Sequence, residues 1–352
     1  MFGMTGTKKP ITAEIDELWY VALTDHIIDL QWSPCGKLLA AATVEGAIAV
    51  IEDRGNEAFF CHVGQHQRGA NAVAWSRDGQ RLASSGQDGI VQLWTRDQWH
   101  QPERLSNHES WVSRVAFSSQ RDVLAWSAGK VLRVANLDGE IFYESDQHDS
   151  TIADIAWSPD GKNVAVVAYN GVTVHTPGQI SEPRKYSWKA SSLSLAWSPD
   201  AKYIATGEQD STVHFWHVKS GKDARMAGFP TKVLELTWHH SSRWLITSGG
   251  SALVLWDCSG AGPAGRKPKV WENHPGKVSQ VAFRPDSDFL VSVDQTGVLI
   301  LWHLAQADEA LSGRRLSAGA NCLRWSPDGT RLAAGQSDGK VVLFRLNSKA
   351  GA

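Results

Sequence analysis

The sequence predicts an all-β protein assembled from eight copies of one small sheet. First, a phrase of an apolar pair, an aromatic and a polar turn recurs down all 352 residues. Its aromatic anchor stands at Trp32, Trp75, Phe117, Trp157, Trp197, Trp238, Phe283 and Trp325. These anchors are 40 to 45 residues apart, so eight units consume nearly the whole chain and leave little for a separate domain. Second, runs such as SLSLAW, YIATG and TVHFW alternate in polarity and are bounded by Gly, Pro, Asp and Ser, whereas helical periodicity is largely absent. Third, tryptophan occurs 17 times against 10 Phe and 5 Tyr, a bias that asks for a structural reason repeated many times.

Within a unit the elements follow in a fixed order. The anchor ends a strand. A Ser-Pro-Asp-Gly turn follows, as at Ser158 to Gly161, with Pro fixing φ and Gly tolerating a positive φ. After a second strand comes another turn, Gly86 to Gly89 or Gln336 to Gly339, and then a strand ending in Trp94, Trp216, Trp256 or Trp302. Four strands in about 42 residues make a sheet too small to bury both faces alone, so neighbouring sheets must stack. The last unit stops at VVLFRL, one strand short. The segment Glu17 to Leu23 is expected to supply that strand, pairing the chain ends and removing exposed edges. The expected organisation is a tail at 1–16, a single body at 17–348 whose closing strand is 17–23, and a tail at 349–352.

Composition narrows the function classes. Lys and Arg total 35 against 37 Asp and Glu, a net charge of −2, which argues against nucleic-acid or anionic-membrane binding driven by bulk charge. A 42% hydrophobic content excludes a wholly disordered chain. Cys35, Cys61, Cys258 and Cys322 form no CxxC pair, so neither a zinc ribbon nor a disulfide framework is indicated and a reducing compartment fits. The first residues lack the apolar stretch of a secretory signal, and no 18 apolar residues run together, so a cytoplasmic protein is expected.

The repeated phrase resembles that of the WD40-repeat β-propeller family, in which a GH dipeptide, strands, an SPDG turn, an Asp-bearing turn and a terminal Trp-Asp recur. The resemblance covers essentially the whole chain and implies a propeller; seven blades are usual for the family, but the eight anchors give an eight-bladed propeller, with seven blades plus one atypical unit as the alternative. The family's His is expected nine residues before each anchor, where His66, His108, His148 and His274 stand. Its Asp is expected thirteen after, at Asp88, Asp210 and Asp338, with Glu45 and Asn170 as substitutes. The resemblance implies a buried relay of His, Ser or Thr, Asp and Trp; only the second unit carries all four at those spacings, as His66, Ser84, Asp88 and Trp94. Elsewhere Trp188 and Phe229 replace the His and Trp126 takes the hydroxyl's place, which points to apolar packing in those units.

The other histidines give one candidate metal cluster, His217, His239, His240 and His303, on turns of adjacent units that share a face. Motifs of hydrolases, zinc proteases and phosphate loops are absent, so the protein is expected to be no enzyme and to need no cofactor. Partner-binding residues are expected on the opposite face: Arg68, Trp111, Lys232 and Lys277 before the innermost strands, and Gln87, Tyr169, Gln209 and Gln295 before the turn Asp or its equivalent. Trp111 is the most informative, because most other units place Gly, Thr, Ser or Lys there and core packing gives no reason for an indole. The leading expectation is a non-enzymatic interaction scaffold, monomeric on its own, that binds a protein or peptide and neither nucleic acid nor membrane. The alternative is a propeller carrying a metal or small-molecule site, possibly enzymatic.

Overall fold

Turn chemistry builds the hairpins. Ser76 Oγ donates to Asp78 Oδ1 at 2.6 Å while accepting the Arg81 N–H at 2.8 Å, which pins both ends of the turn between two strands. The same pair of bonds recurs at Ser158, Ser198 and Ser326. In the computed structural model, which describes residues 11–260, 262–306 and 309–349, these hairpins extend into antiparallel sheets. In the first of these sheets Ile27–Trp32 is innermost, followed outwards by Leu38–Thr43, Ala47–Asp53 and Ala58–Gln65.

Seven hydrogen-bonded sheets are present among the described residues, six of four strands and one of six, and this corrects the expectation of eight separate blades. The fourth and fifth repeats share the six-stranded sheet. Its strand Val164–His175 doubles back at Asn170 and Gly171, whose φ values of 73° and 102° suit a tight hairpin turn, so that Thr176 Oγ1 donates to Asn163 Oδ1 at 2.8 Å. The next strand, Arg184–Trp197, then runs unbroken from the edge of one repeat into the innermost position of the next. The reason is local: RKYSWKASSLSLAW contains no Gly, Pro, Asp or Asn to interrupt it, whereas the corresponding stretch of the second repeat holds Gly64 and Gly69.

The tryptophan excess has a structural cause. The indole N–H of Trp75 donates to the Gln31 carbonyl at 3.0 Å, one residue before the previous anchor, and Trp157, Trp197, Trp238 and Trp325 do the same to Ala116, Ala156, Ala196 and Ala282 at 3.0 to 3.2 Å. Trp32 closes the series on Arg324. Each tryptophan anchor thus fills apolar space between repeats and satisfies a main-chain carbonyl there.

The chain ends meet in one sheet. Thr12–Ala22 lies antiparallel to Lys340–Lys349, with Ile15 opposite Leu346 and Trp19 opposite Leu343. This strand starts five residues before the expected boundary at Glu17, so residues 12–16 belong to the sheet and not to a tail; residues 1–10 and 350–352 lie outside the described residues. Trp19, Val21, Val341 and Leu343 pack with Leu39, Ala41 and Ile51 of the first repeat in one buried cluster.

Candidate functional site

On the face that carries the loops leading into the innermost strands, those loops and the turns of the second-to-third strands are tied together. Gln87 N donates to Gly69 O at 2.9 Å, Gly129 N to Trp111 O at 3.2 Å, Gln209 N to Ser191 O at 2.9 Å and Gln295 N to Lys277 O at 2.9 Å. Gly69, at φ 99°, shows how close the loops approach: a Cβ there would lie 2.6 Å from the Val44 carbonyl and 3.4 Å from Gln87 Nε2. Gly89 similarly abuts the His108 carbonyl, which brings the second repeat's turn against the loop that ends in Trp111. Arg68, Gln87 and Trp111 therefore occupy one stretch of this face. Trp111 is 57% exposed and Arg68 is exposed, whereas Gln87 is half-buried.

The remaining expected residues are spread around the same face. Lys277 is half-buried and bonded to exposed Gln295. Lys232 and Gln209 are exposed and lie in neighbouring repeats whose backbones meet where Val233 N donates to Glu208 O at 3.3 Å. Tyr169, 47% exposed, borders a groove of about 760 Å³ with His148, His175, Lys185 and Trp188. Within that groove His175 Nδ1 lies 2.7 Å from the Tyr143 hydroxyl, its Nε2 lies 3.3 Å from His148 Nε2, and burial lowers its pKa to about 3.

A set of charged residues in the central channel escaped sequence reading. Arg114 Nε donates to Asp154 Oδ1 at 2.9 Å and Arg324 Nη2 to Asp29 Oδ1 at 3.2 Å. The second oxygen of each Asp accepts from the next repeat's backbone, Val73 N at 3.1 Å and Leu195 N at 3.3 Å. Gln280 Nε2 donates to Glu235 Oε1 at 3.2 Å. The channel wall surrounds Glu235 and pushes its carboxyl up to about 8, against the opposing pull of Arg324 and Lys277, although the side chain keeps some contact with water along the channel. A signal was present. The residue three before the anchor is Asp29, Arg114, Asp154, Ser194, Glu235 and Gln280 in six repeats, polar positions that strand alternation places facing the axis.

The relay differs from expectation. In the second repeat His66 Nδ1 is 3.0 Å from Asp88 Oδ1 and its Nε2 is 2.6 Å from Ser84 Oγ, but Trp94 Nε1 is buried without a partner. The second repeat is also not alone in carrying all four residues. In the seventh, Ser292 Oγ lies 2.6 Å from His274 Nε2 and accepts from Trp302 Nε1 at 2.8 Å, while Asp294 lies 3.5 Å from His274 Nδ1 without a hydrogen bond between them. Sequence spacing missed it because Asp294 stands at the end of its strand, two residues ahead of the position the second repeat uses. Trp126 does not rely on packing alone, since its Nε1 donates to His108 Nε2 at 3.2 Å. In the fifth repeat Trp188 packs against His214 with ring centres 4.0 Å apart and the planes tilted by 39°, and Glu208 takes the polar centre, accepting from Ser192 and Thr206 at 2.6 to 2.9 Å. Burial raises the Glu208 pKa.

The four candidate metal histidines are not brought together as one set. His217 Nδ1 accepts from Ser220 N and His303 Nδ1 from Ala305 N, each at 3.1 Å, in local turns. His239 and His240 do meet, with ring centres 4.0 Å apart, and Asp288 from the neighbouring repeat joins them.

Comparison with known proteins agrees with this architecture. Residues 30–120 match the anaphase-promoting complex subunit 4 WD40 domain, and residues 139–173, 185–217, 265–303 and 311–345 match the WD domain, G-beta repeat. The chain belongs to the WD40-repeat β-propeller family, whose members serve broadly as protein-interaction scaffolds. It is similar to rat apoptotic protease-activating factor 1, 23% identical over 288 residues that cover 76% of this chain and 22% of that protein. It is also similar to Caenorhabditis elegans actin-interacting protein 1, 24% identical over 296 residues, covering 80% of this chain and 40% of the relative. The chain thus spans well under half the length of these two relatives. Among solved structures the computationally designed protein Ika8 superposes with a TM-score of 0.77 at 18% identity, over 94% of this chain and 99% of that one, a likeness of fold alone.

Proposed function

We propose that this protein is a non-catalytic cytoplasmic scaffold that captures a protein or peptide on the face bearing Arg68, Gln87 and Trp111. The observation that carries the reading is Trp111, an exposed indole held on a loop whose carbonyl accepts from Gly129 and which packs against the second repeat's turn. Exposed aromatics beside Arg on rigid loops are the side chains on which binding surfaces concentrate their energy. Tyr169, Gln209, Lys232, Lys277 and Gln295 extend the same face with amide and cationic groups. The relatives support the class, one of them being named for its interaction with actin. Four free cysteines fit a reducing compartment, and near-neutral charge gives no general attraction to nucleic acid or membrane.

The test is affinity capture from lysate with quantitative mass spectrometry, comparing wild type with Trp111→Ala and Arg68→Ala. Each substitution is expected to reduce recovery of the specific partner by at least about 30-fold, equivalent to about 2 kcal/mol, while leaving the melting temperature nearly unchanged. His217→Ala and His303→Ala, on the opposite face, should retain it. Capture lost through those histidines and kept without Trp111 overturns the reading.

A further inference from the structure

The sixth repeat departs from the turn chemistry of its neighbours. Where Ser76, Ser158, Ser198 and Ser326 pin their turns through a hydroxyl, this repeat has His239, followed by His240. His239 takes over the local polar role with one ring nitrogen only, its Nδ1 lying 2.7 Å from Ser241 Oγ. The other nitrogen, Nε2, is left over. The side chain is 4% exposed, and Nε2 makes no well-formed hydrogen bond, with Asp288 Oδ1 the carboxylate oxygen facing it at 3.1 Å. A buried imidazole nitrogen without a partner costs free energy that the turn gives no reason to spend.

From this we infer that His239, His240 and Asp288 form a binding site for a divalent transition-metal ion, with zinc the best match to the donor set. The three donor atoms lie within 4.8 Å of one another and come from facing turns of two adjacent repeats. Ligands at about 2.1 Å in tetrahedral geometry sit roughly 3.4 Å apart, so closure asks only for a small swing of the exposed side chains of His240 and Asp288. His239 is the fixed member. Its Nδ1 lies 2.7 Å from Ser241 Oγ and 3.3 Å from Ser241 N, contacts that set the ring's orientation; a metal at Nε2 selects the tautomer whose Nδ1–H points to Ser241 Oγ, the outer arrangement typical of ligating histidines. Two imidazoles and one carboxylate favour zinc over magnesium or calcium, and three protein ligands leave a fourth position for water or a partner's side chain.

The experiment uses the full chain without a histidine tag, stripped with chelator and titrated with cobalt(II) at pH 7.5, followed by zinc displacement and by calorimetry with zinc alone. One equivalent binding with intense visible cobalt bands, and a zinc Kd below about 10 μM, is expected. His240→Ala and Asp288→Asn should each weaken binding at least about 10-fold, and Ser241→Ala should weaken it by about 10-fold by removing the hydroxyl that holds the His239 ring. His217→Ala, one repeat away, should bind as wild type. Because His240 and Asp288 are exposed, unchanged melting temperatures will show that these variants fold. Absence of one-equivalent binding, or binding that His240→Ala and Asp288→Asn leave intact, overturns the site.

Discussion

The indole N–H of Trp32 donates to the main-chain oxygen of Arg324 at 3.0 Å, joining the first repeat to the last across 292 residues of sequence. Phe117 and Phe283 occupy the same anchor position without an N–H to give, so the ring shape survives at a phenylalanine and the bond is a separable contribution. Trp32→Phe should therefore cost about 0.5–1.5 kcal/mol, somewhat more if the Arg324 carbonyl stays unsatisfied, whereas Trp32→Ala should cost about 3–5 kcal/mol. Urea midpoints of the two variants check this; equal losses would mean that the bond carries the position and the packing does not.

Thr12–Ala22 pairs along its length with Lys340–Lys349, and Trp19 Nε1 reaches across to Asp53 Oδ1 of the first repeat at 3.1 Å. Deleting residues 1–23 should expose the edge of Lys340–Lys349 and uncover the cluster of Val341, Leu343, Leu39 and Ile51. Aggregation by light scattering and a broadened melting transition are expected. A truncated protein that stays monodisperse and melts as before would show that this strand is dispensable for closing the ring.

Asp88 holds His66 Nδ1 and accepts from Gln67 N and Ile90 N at 3.0 to 3.1 Å in a nearly buried site, while Asp338 accepts from Ser317 Oγ and Lys340 N in a more exposed turn. Asp88→Ala should cost about 1–3 kcal/mol and Asp338→Ala less, because fewer buried donors are orphaned there. In the same assay Ser292→Ala should exceed Ser84→Ala, since Ser292 serves both His274 and Trp302 while Trp94 has no bond to lose. The reverse order would contradict these relays.

His175 is buried and neutral, its pKa lowered to about 3 by burial and by the nearby His148 and Lys185. The unfolded chain takes up this proton near pH 6.5, so the stability contribution is complete above that value and is lost as pH falls from 6.5 towards 3. The loss between pH 7 and 5 should be about 2 kcal/mol from this residue. His175→Gln, which retains an acceptor for Tyr143, should flatten the acid limb of a melting-temperature profile. A profile unchanged by the substitution would place the acid sensitivity elsewhere.

Glu235 has the opposite sign. Its carboxyl is pushed up to about 8 by the channel, so the fold favours the protonated form and stability declines as pH rises from the ordinary carboxylate range through 8. Glu235→Gln should therefore raise the melting temperature at pH 8 more than at pH 5. A uniform shift at both values would indicate that Glu235 is already ionised.

The sequence by itself determined the repeat, the turns and the family, because those depend on neighbours close in the chain: a Ser two residues before an Asp, a Gly where φ is positive, an aromatic every 40 to 45 residues. It also placed Arg68, Gln87 and Trp111 on one face, since antiparallel alternation fixes which turns share an end. Other features required the assembled ring. The sheet count fell from eight to seven because Arg184–Trp197 continues between repeats, which depends on pairing on both of its sides. The partners of Arg114, Arg324 and Glu235 come from neighbouring or terminal repeats and meet only at the axis. His239 and Asp288 stand 49 residues apart, and no local pattern could show that one turn's unpaired nitrogen faces the next turn's carboxylate; that proximity is set by the packing of one repeat on another.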